Sequence, residues 1–209
     1  MILHGYWRSS AAYRVRIALA LKHVAYDRVA YDLRTGRQRD DAYRALNAQA
    51  MVPALEVDGA VLVQSPAILE WIEEMYPTPA LLPVDTLDRA TVRAMAAIVA
   101  CDIHPLNNLR VQTLLRDQGA DDAAVGAWIA RWIGDGFAAL EPLIARHGRG
   151  FAFGDAPTLA DCHLVPQVYS AERFGVALAP YPALVAAAWR ARGLEAVAAA
   201  HPDRQPDAP

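Results

Sequence analysis

Hydrophobic and polar positions follow two regimes along the chain, and the change falls near residues 77–86. Before it, short apolar runs alternate with helical patterns. Met1-Ile2-Leu3 opens a strand over about 1–5, and Val15, Ala18, Leu19 and Lys22 then recur at helical spacing, predicting a helix over 10–23. Tyr26, Val29 and Tyr31 mark a β-like run over 26–31, and the polar segment 34–45 has room for a short helix. Short strands over 52–57 and 60–63 meet at Asp58-Gly59, a strong hairpin signal. Ser65-Pro66 opens a helix to about Tyr76, with Ser65 at the N-cap and Pro66 at the first helical position.

Pro77, Pro79 and Pro83 read as a linker, and every long segment after them reads as helix. One runs over 87–117, bent by Pro105. A second runs over 122–147 with Trp128, Ile129, Trp132, Ile133, Phe137 and Leu140 on one face. Thr158-Leu159-Ala160-Asp161 is a capping-box signature that starts a third, to about Phe174. A last helix covers 182–200, and 201–209 reads as a frayed, flexible tail. The pattern predicts an α/β domain of βαβ–ββα order over 1–80 and an all-helical domain over 86–209.

Composition narrows the function. A chain of 209 residues, 55% hydrophobic, can fill one large core or two modest ones. A net charge of −3 gives no reason to expect nucleic acid or an anionic membrane as partner. No apolar run reaches membrane-spanning length, and no signal segment opens the chain. Cys101 and Cys162 are far apart and fit no metal-ligand spacing, so no metal and a reducing, cytoplasmic compartment are expected.

The candidate chemistry starts at Tyr6-Trp7-Arg8-Ser9-Ser10. Ser9 and Ser10 lie where an N-cap belongs, so hydroxyls and free N–H groups gather at the positive end of a helix dipole. Such a site takes an anion, a thiolate or a carboxylate, and Arg8 adds a fixed cation. A free thiol has a pKa of about 8.5, and lowering it by two units amounts to roughly 2.7 kcal/mol of preferential anion binding. Ser9 and Ser10 both remain open for that role. Gln64-Ser65 makes a second helix start suited to a carboxylate, or else an ordinary strand end and cap.

Four stretches in order resemble the soluble glutathione transferases, and the zeta class most sharply. They are Arg8-Ser9-Ser10-Ala11-Ala12-Tyr13-Arg14-Val15-Arg16, Leu46-Asn47-Ala48-Gln49-Ala50-Met51-Val52-Pro53, Gln64-Ser65-Pro66-Ala67-Ile68, and Cys101-Asp102-Ile103-His104-Pro105-Leu106-Asn107-Asn108-Leu109-Arg110. The resemblance covers nearly the whole chain. It implies a thioredoxin-like N-terminal domain whose Val52-Pro53 turn offers backbone N–H and C=O to glutathione, as an added strand would. It further implies that Gln64 and Ser65 hold the γ-glutamyl carboxylate, and that Ser9 serves the thiol. Ser10, Gln49, His104 and Asn108 complete the implied glutathione contacts, although a lone histidine before proline is more often structural. Arg8, Arg110 and Arg173 are the implied anchors for a dianionic substrate, because each carboxylate suits a guanidinium fork. Arg14 and Arg16 read as solvated or helix-pair charges.

The implied reaction is the glutathione-dependent cis–trans isomerisation of an enone diacid, maleylpyruvate or maleylacetoacetate, in bacterial aromatic catabolism. Thiolate adds to the alkene, the bond turns, and elimination leaves the fumaryl isomer. Two departures from the zeta pattern stand out: Ala11 where a cysteine is frequent, and Arg39 where a histidine is frequent. With Ala11 there, the sulfur is a borrowed one. A glutathione transferase or dehalogenase acting on small electrophilic acids is the first rival, and a non-catalytic interaction protein of the same fold the second. A homodimer is the assembly the resemblance implies.

Overall fold

The computed structural model describes residues 1–209, and the chain divides into two compact units, Met1–Leu81 with Gly193–Pro209, and Leu82–Arg192. No helix is long and apolar enough to cross a membrane.

The first unit holds a four-stranded sheet in the order β2-β1-β3-β4, with β1 at Ile2–Gly5, β2 at Asp27–Ala30, β3 at Ala54–Val57 and β4 at Ala60–Val63. Helix α1 (Ser10–Leu21) connects the parallel pair β1 and β2, and β3 and β4 run antiparallel across a turn where Asp58 and Gly59 both take positive φ. Helix α2 (Asp41–Leu46) follows β2, and α3 (Ser65–Met75) follows β4. Leu3 and Leu55 share one sheet face and are 2% and 0% exposed, in the core that α1 and α3 fill with Val15, Leu19, Ile68, Leu69 and Ile72. Each such aliphatic contributes about 1.5–3 kcal/mol when fully buried. On the opposite face His4 packs its ring against Tyr31 and Tyr43 and meets the Glu56 carboxylate at 3.3 Å.

The proline-rich segment is only partly a linker. Buried Lys22 donates to the Glu73 carboxylate at 2.5 Å and to the Pro79 carbonyl at 2.6 Å, and the Leu81 N–H donates to Glu73 at 3.0 Å. That pair joins the ends of α1 and α3 and fastens the chain as far as Leu81 to the first unit. Such a pair is retained because removing one partner strands a buried charge.

The second unit is helical: α4 (Thr86–Ala97), α5 (Leu109–Asp117), α6 (Asp122–His147), α7 (Leu159–Arg173) and α8 (Pro182–Arg192). The expected bent helix over 87–117 is in fact broken. A π-helical stretch over Ile98–Ile103 follows α4, and α5 starts afresh at Leu109 with Asn108 as its cap. Pro105 has no N–H to continue the ladder, so the chain re-enters helix through a new cap. Gly136 of α6 makes room for this, since any Cβ there would overlap the Ile103 side chain. The capping box at α7 forms as expected. Asp161 accepts the Thr158 N–H at 2.8 Å and hydroxyl at 3.0 Å, and also the Ala152 N–H at 2.8 Å.

The C-terminal segment departs most from expectation. The single helix over 182–200 breaks at Gly193 into α8 and α9 (Glu195–Ala199), and residues 193–209 belong to the first unit. The helical unit therefore ends at Arg192 and does not extend to 209. The tail expected to fray is ordered: Pro202 and Gln205 are buried, and the Trp7 N–H donates to Asp207 at 2.8 Å. Its anchors lie some 200 positions away, beyond any local pattern.

Burial pushes the Asp161 carboxyl up to about 6, against the hydrogen bonds that favour its ionised form. The folded state thus holds this proton more tightly than the unfolded chain, so the group's contribution is full below the unfolded value of 3.8 and is lost as pH rises through about 6. Asp161→Asn should destabilise the protein by about 2–4 kcal/mol at pH 4 by misplacing an amide among donors. Urea denaturation between pH 4 and pH 7 should show the gap from wild type narrowing as pH rises.

Candidate functional site

The register of the sheet decides where the first-unit candidates go. His4 pairs with Ala54, and Ala54 pairs with Val63. Because β1 and β3, and β3 and β4, are antiparallel, the C-terminal end of β1, the N-terminal end of β3 and the C-terminal end of β4 lie along one edge. The Tyr6–Ser9 turn, Val52-Pro53 and Gln64-Ser65 all leave the sheet there, and both α1 and α3 start there. Two positive helix ends thus serve one edge.

At α1 the structure resolves the choice of cap. Ser9 is the N-cap: its Oγ accepts the Ala12 N–H at 3.2 Å, and its own N–H donates to the Tyr6 carbonyl at 3.0 Å. Ser10 is the first helical residue. A hydroxyl has one proton to give and two lone pairs. With a lone pair engaged by Ala12, the Ser9 proton remains for an acceptor outside the helix. Arg8 is half-buried, with its guanidinium 5.3 Å from the centroid of the Trp7 ring. The Asp32 carboxyl is held below the ordinary range chiefly by hydrogen bonds from Arg34, with Arg8 a minor contributor.

At α3 the cap is Gln64, at φ 69°, and Ser65 is the first helical residue, one place further in than expected. Gln64 supplies no side-chain cap, so the α3 start keeps its donors. Its Nε2 donates to Gln49 Oε1 at 2.7 Å, which brings those two candidates together. Ser65 is buried, and its hydroxyl accepts from Arg14 Nη1 at 3.2 Å. The Val52–Pro53 peptide is cis. A donor set of two helix starts, an extended backbone edge and a hydroxyl suits a ligand with a thiol, a carboxylate and peptide groups, which is the chemistry of glutathione.

Residues 8–75 match the family model for the glutathione S-transferase N-terminal domain. The chain is 53% identical to the maleylpyruvate isomerase of a Ralstonia species, over 99% of each chain. The holo structure of a maleyl pyruvate isomerase, described as a bacterial zeta-class glutathione S-transferase, superposes with a TM-score of 0.98 at 52% identity over 100% of both chains. The chain belongs to the zeta class of the glutathione transferases. A maleylacetoacetate isomerase from Anaeromyxobacter dehalogenans with glutathione bound in its active site is also similar, with a TM-score of 0.91, 48% identity, and 100% and 97% of the two chains covered.

The second-unit candidates of this zeta-class chain fall at two places. His104 ends the π-helical stretch, Asn108 caps α5 by accepting the Arg110 N–H at 3.1 Å, and the Arg110 side chain is exposed. Arg173 is exposed at the end of α7, its guanidinium 4.5 Å from the Phe174 ring centroid. Arg39 is exposed, and its carbonyl accepts from Arg44.

Sequence reasoning passed over the residues that shape this edge from behind. Arg14 and Arg16 are 2% and 3% exposed, which overturns their reading as solvated charges. Asn47 is buried and brackets the turn before Val52: its Nδ2 donates to the Met51 carbonyl at 2.7 Å and its Oδ1 accepts the Gln49 N–H at 3.1 Å. The buried Tyr43 hydroxyl donates to the same carbonyl at 2.7 Å, and burial pushes its pKa up to about 12. The available signal was an asparagine at a helix end, followed by a turn and a proline. Asn47→Ala should remove about 1–2 kcal/mol of stability, measured by chemical denaturation, and weaken retention on immobilised glutathione.

Proposed function

We propose that this zeta-class protein is a glutathione-dependent cis–trans isomerase of a small dianionic enone diacid, maleylpyruvate before maleylacetoacetate, serving aromatic catabolism in the cytoplasm as a homodimer. The observation that carries the reading is the Ser9 hydroxyl. It is fixed by the Ala12 N–H at a sheet edge shared by two helix starts. Both cysteines, Cys101 and Cys162, lie in the second unit, so the first unit has no thiol of its own.

Glutathione, when bound, supplies a sulfur nucleophile whose reversible addition to the alkene makes the double bond single and free to turn. Ser9 would donate its proton to that sulfur and favour the thiolate, helped by the α1 dipole. Ser65 and the α3 donors would hold the γ-glutamyl carboxylate, and Val52 would pair with the peptide backbone. Gln49, Gln64 and Ser10 border the same edge. His104 and Asn108 remain proposed contacts to glutathione. The Asn108 amide nitrogen is the end not used in capping Arg110.

Arg8, Arg110 and Arg173 are the proposed carboxylate anchors. Each would hold a carboxylate in place while the bond turns, so that rotation outpaces dissociation, and a nearby guanidinium would stabilise the enolate. Return of glutathione unconsumed is what separates this reading from a transferase or dehalogenase acting on small electrophilic acids.

Conversion of the cis-enone spectrum of each diacid to that of its trans isomer should require glutathione and leave the glutathione unconsumed; no glutathione-dependent conversion of either would refute the isomerase. Ser9→Ala should lower kcat/KM about a hundredfold, the scale of losing one donor to a developing anion. Arg8→Ala should raise KM for the diacid and leave the Kd for glutathione near wild type. Sedimentation of the purified protein tests the dimer.

A further inference from the structure

The C-terminal segment grips the turn that carries Arg8 and Ser9. Trp7 donates its N–H to the Asp207 carboxylate at 2.8 Å, a charge-assisted bond between residues 200 positions apart. The carbonyls of the same turn face Arg16. Its Nη2 donates to Trp7 O at 2.9 Å, its Nη1 reaches Tyr6 O at 3.5 Å, and its Nε donates to Ala200 O at 3.1 Å. One buried guanidinium therefore joins the turn to the segment that begins at Gly193.

The Tyr6 carbonyl that receives Arg16 also receives the Ser9 N–H, so the grip acts on the bond that closes the turn onto Ser9. Ala208 packs against the cluster formed by Tyr6, Trp7, Tyr43 and Val52. The segment is itself braced. Gln205 Nε2 donates to Ala199 O at 3.2 Å and His201 O at 2.8 Å, and its Oε1 accepts from Arg28. Burial pushes Arg16 down to about 10, which leaves it cationic at neutral pH; Tyr26, Tyr13 and Asp207 favour its charge and Arg28 opposes it.

We propose that residues 193–209 form a positioning strap for the thiol site, in which Asp207 and Arg16 hold Tyr6 and Trp7 and so set the aim of the Ser9 hydroxyl. The strap touches no substrate and acts only through the turn. It rests on the reading of the Ser9 edge as the glutathione thiol site. Held on both its N–H and its carbonyl sides, the turn keeps the Ser9 oxygen in one place; released, it lets Ser9 wander and the thiol regain its ordinary acidity. Backbone misplacement of this kind is costly because a hydrogen bond weakens steeply with angle.

The test uses full-length protein carrying Asp207→Ala or Asp207→Asn, with Asp203→Ala as a control at an exposed position of the same segment. Glutathione affinity is read by calorimetry, and the pKa of the bound thiol by the ultraviolet absorbance of the thiolate. Asp207→Ala should weaken glutathione several-fold and raise the bound thiol's pKa by about half a unit to one unit. Asp207→Asn, which keeps a carbonyl acceptor for Trp7, should recover most of both effects, and Asp203→Ala should match wild type. A lowered melting temperature with unchanged thiol pKa and affinity would overturn the strap, leaving a purely structural tail. If Asp207→Ala does not fold, Asp207→Asn decides alone: a small shift of thiol pKa and affinity in the same direction supports the strap, and no shift in either overturns it. Wild type that binds glutathione yet converts no cis diacid to its trans isomer refutes the isomerase while the strap comparison stands; wild type that binds no glutathione refutes both.

Discussion

The antiparallel register that opposes His4 to Ala54 and Ala54 to Val63 is the constraint on which the site depends. Backbone pairing brings the Tyr6–Ser9 turn, Val52-Pro53 and Gln64-Ser65 to one edge, and the Gln64–Gln49 hydrogen bond adds a side-chain tie. A slip of one residue in either pairing would turn Leu3 or Leu55 out of the core and separate the three segments at the same time. The buried aliphatics and the ligand edge are therefore protected by one set of hydrogen bonds. Stability and function are coupled here through the register.

Much of this was legible in the chain. The alternation before residue 77, the Asp58-Gly59 turn and the Thr158–Asp161 capping box are local signals, and the structure carries each of them. What escaped was decided by distant partners. Arg14 and Arg16 occupy helical positions whose spacing is silent on whether a guanidinium meets water or a carbonyl. Arg16 is buried because Tyr6, Trp7 and Ala200 offer it three backbone acceptors, and two of those lie before the helix and one near the end of the chain. The tail read as frayed for the same reason: Asp207 is polar and terminal, and nothing nearby in sequence announces the Trp7 N–H. Pro105 gave the right location and too mild an outcome, since a lost N–H can bend a helix or end it, and the Asn108 cap favours ending.

Within the candidate site, residue types were easier to read than their division of labour. Ser9 and Ser10 were equivalent as neighbours of a helix start until the Ala12 N–H selected Ser9. The Ser65 hydroxyl, legible as a candidate from its place at a helix start, is already in contact with Arg14. That contact turns the buried cation toward the α3 start and adds positive potential where a carboxylate would bind.

Ser9 also shows why capping and thiol stabilisation do not compete. Capping uses a lone pair, while stabilising a thiolate would use the proton, so one hydroxyl is free to do both. The cap fixes the oxygen; what remains free is rotation of the proton about it, and an anion at the helix start aligns that proton. A cysteine in the Ser9 position would hold the cap poorly and add a competing sulfur. Ala11, 8% exposed in the first turn of α1, adds neither donor nor thiol. On the proposed reading the edge would stabilise a sulfur anion although the first unit has no thiol, and the nucleophile would arrive with its own peptide, for which Val52 and the α3 start would provide the seat.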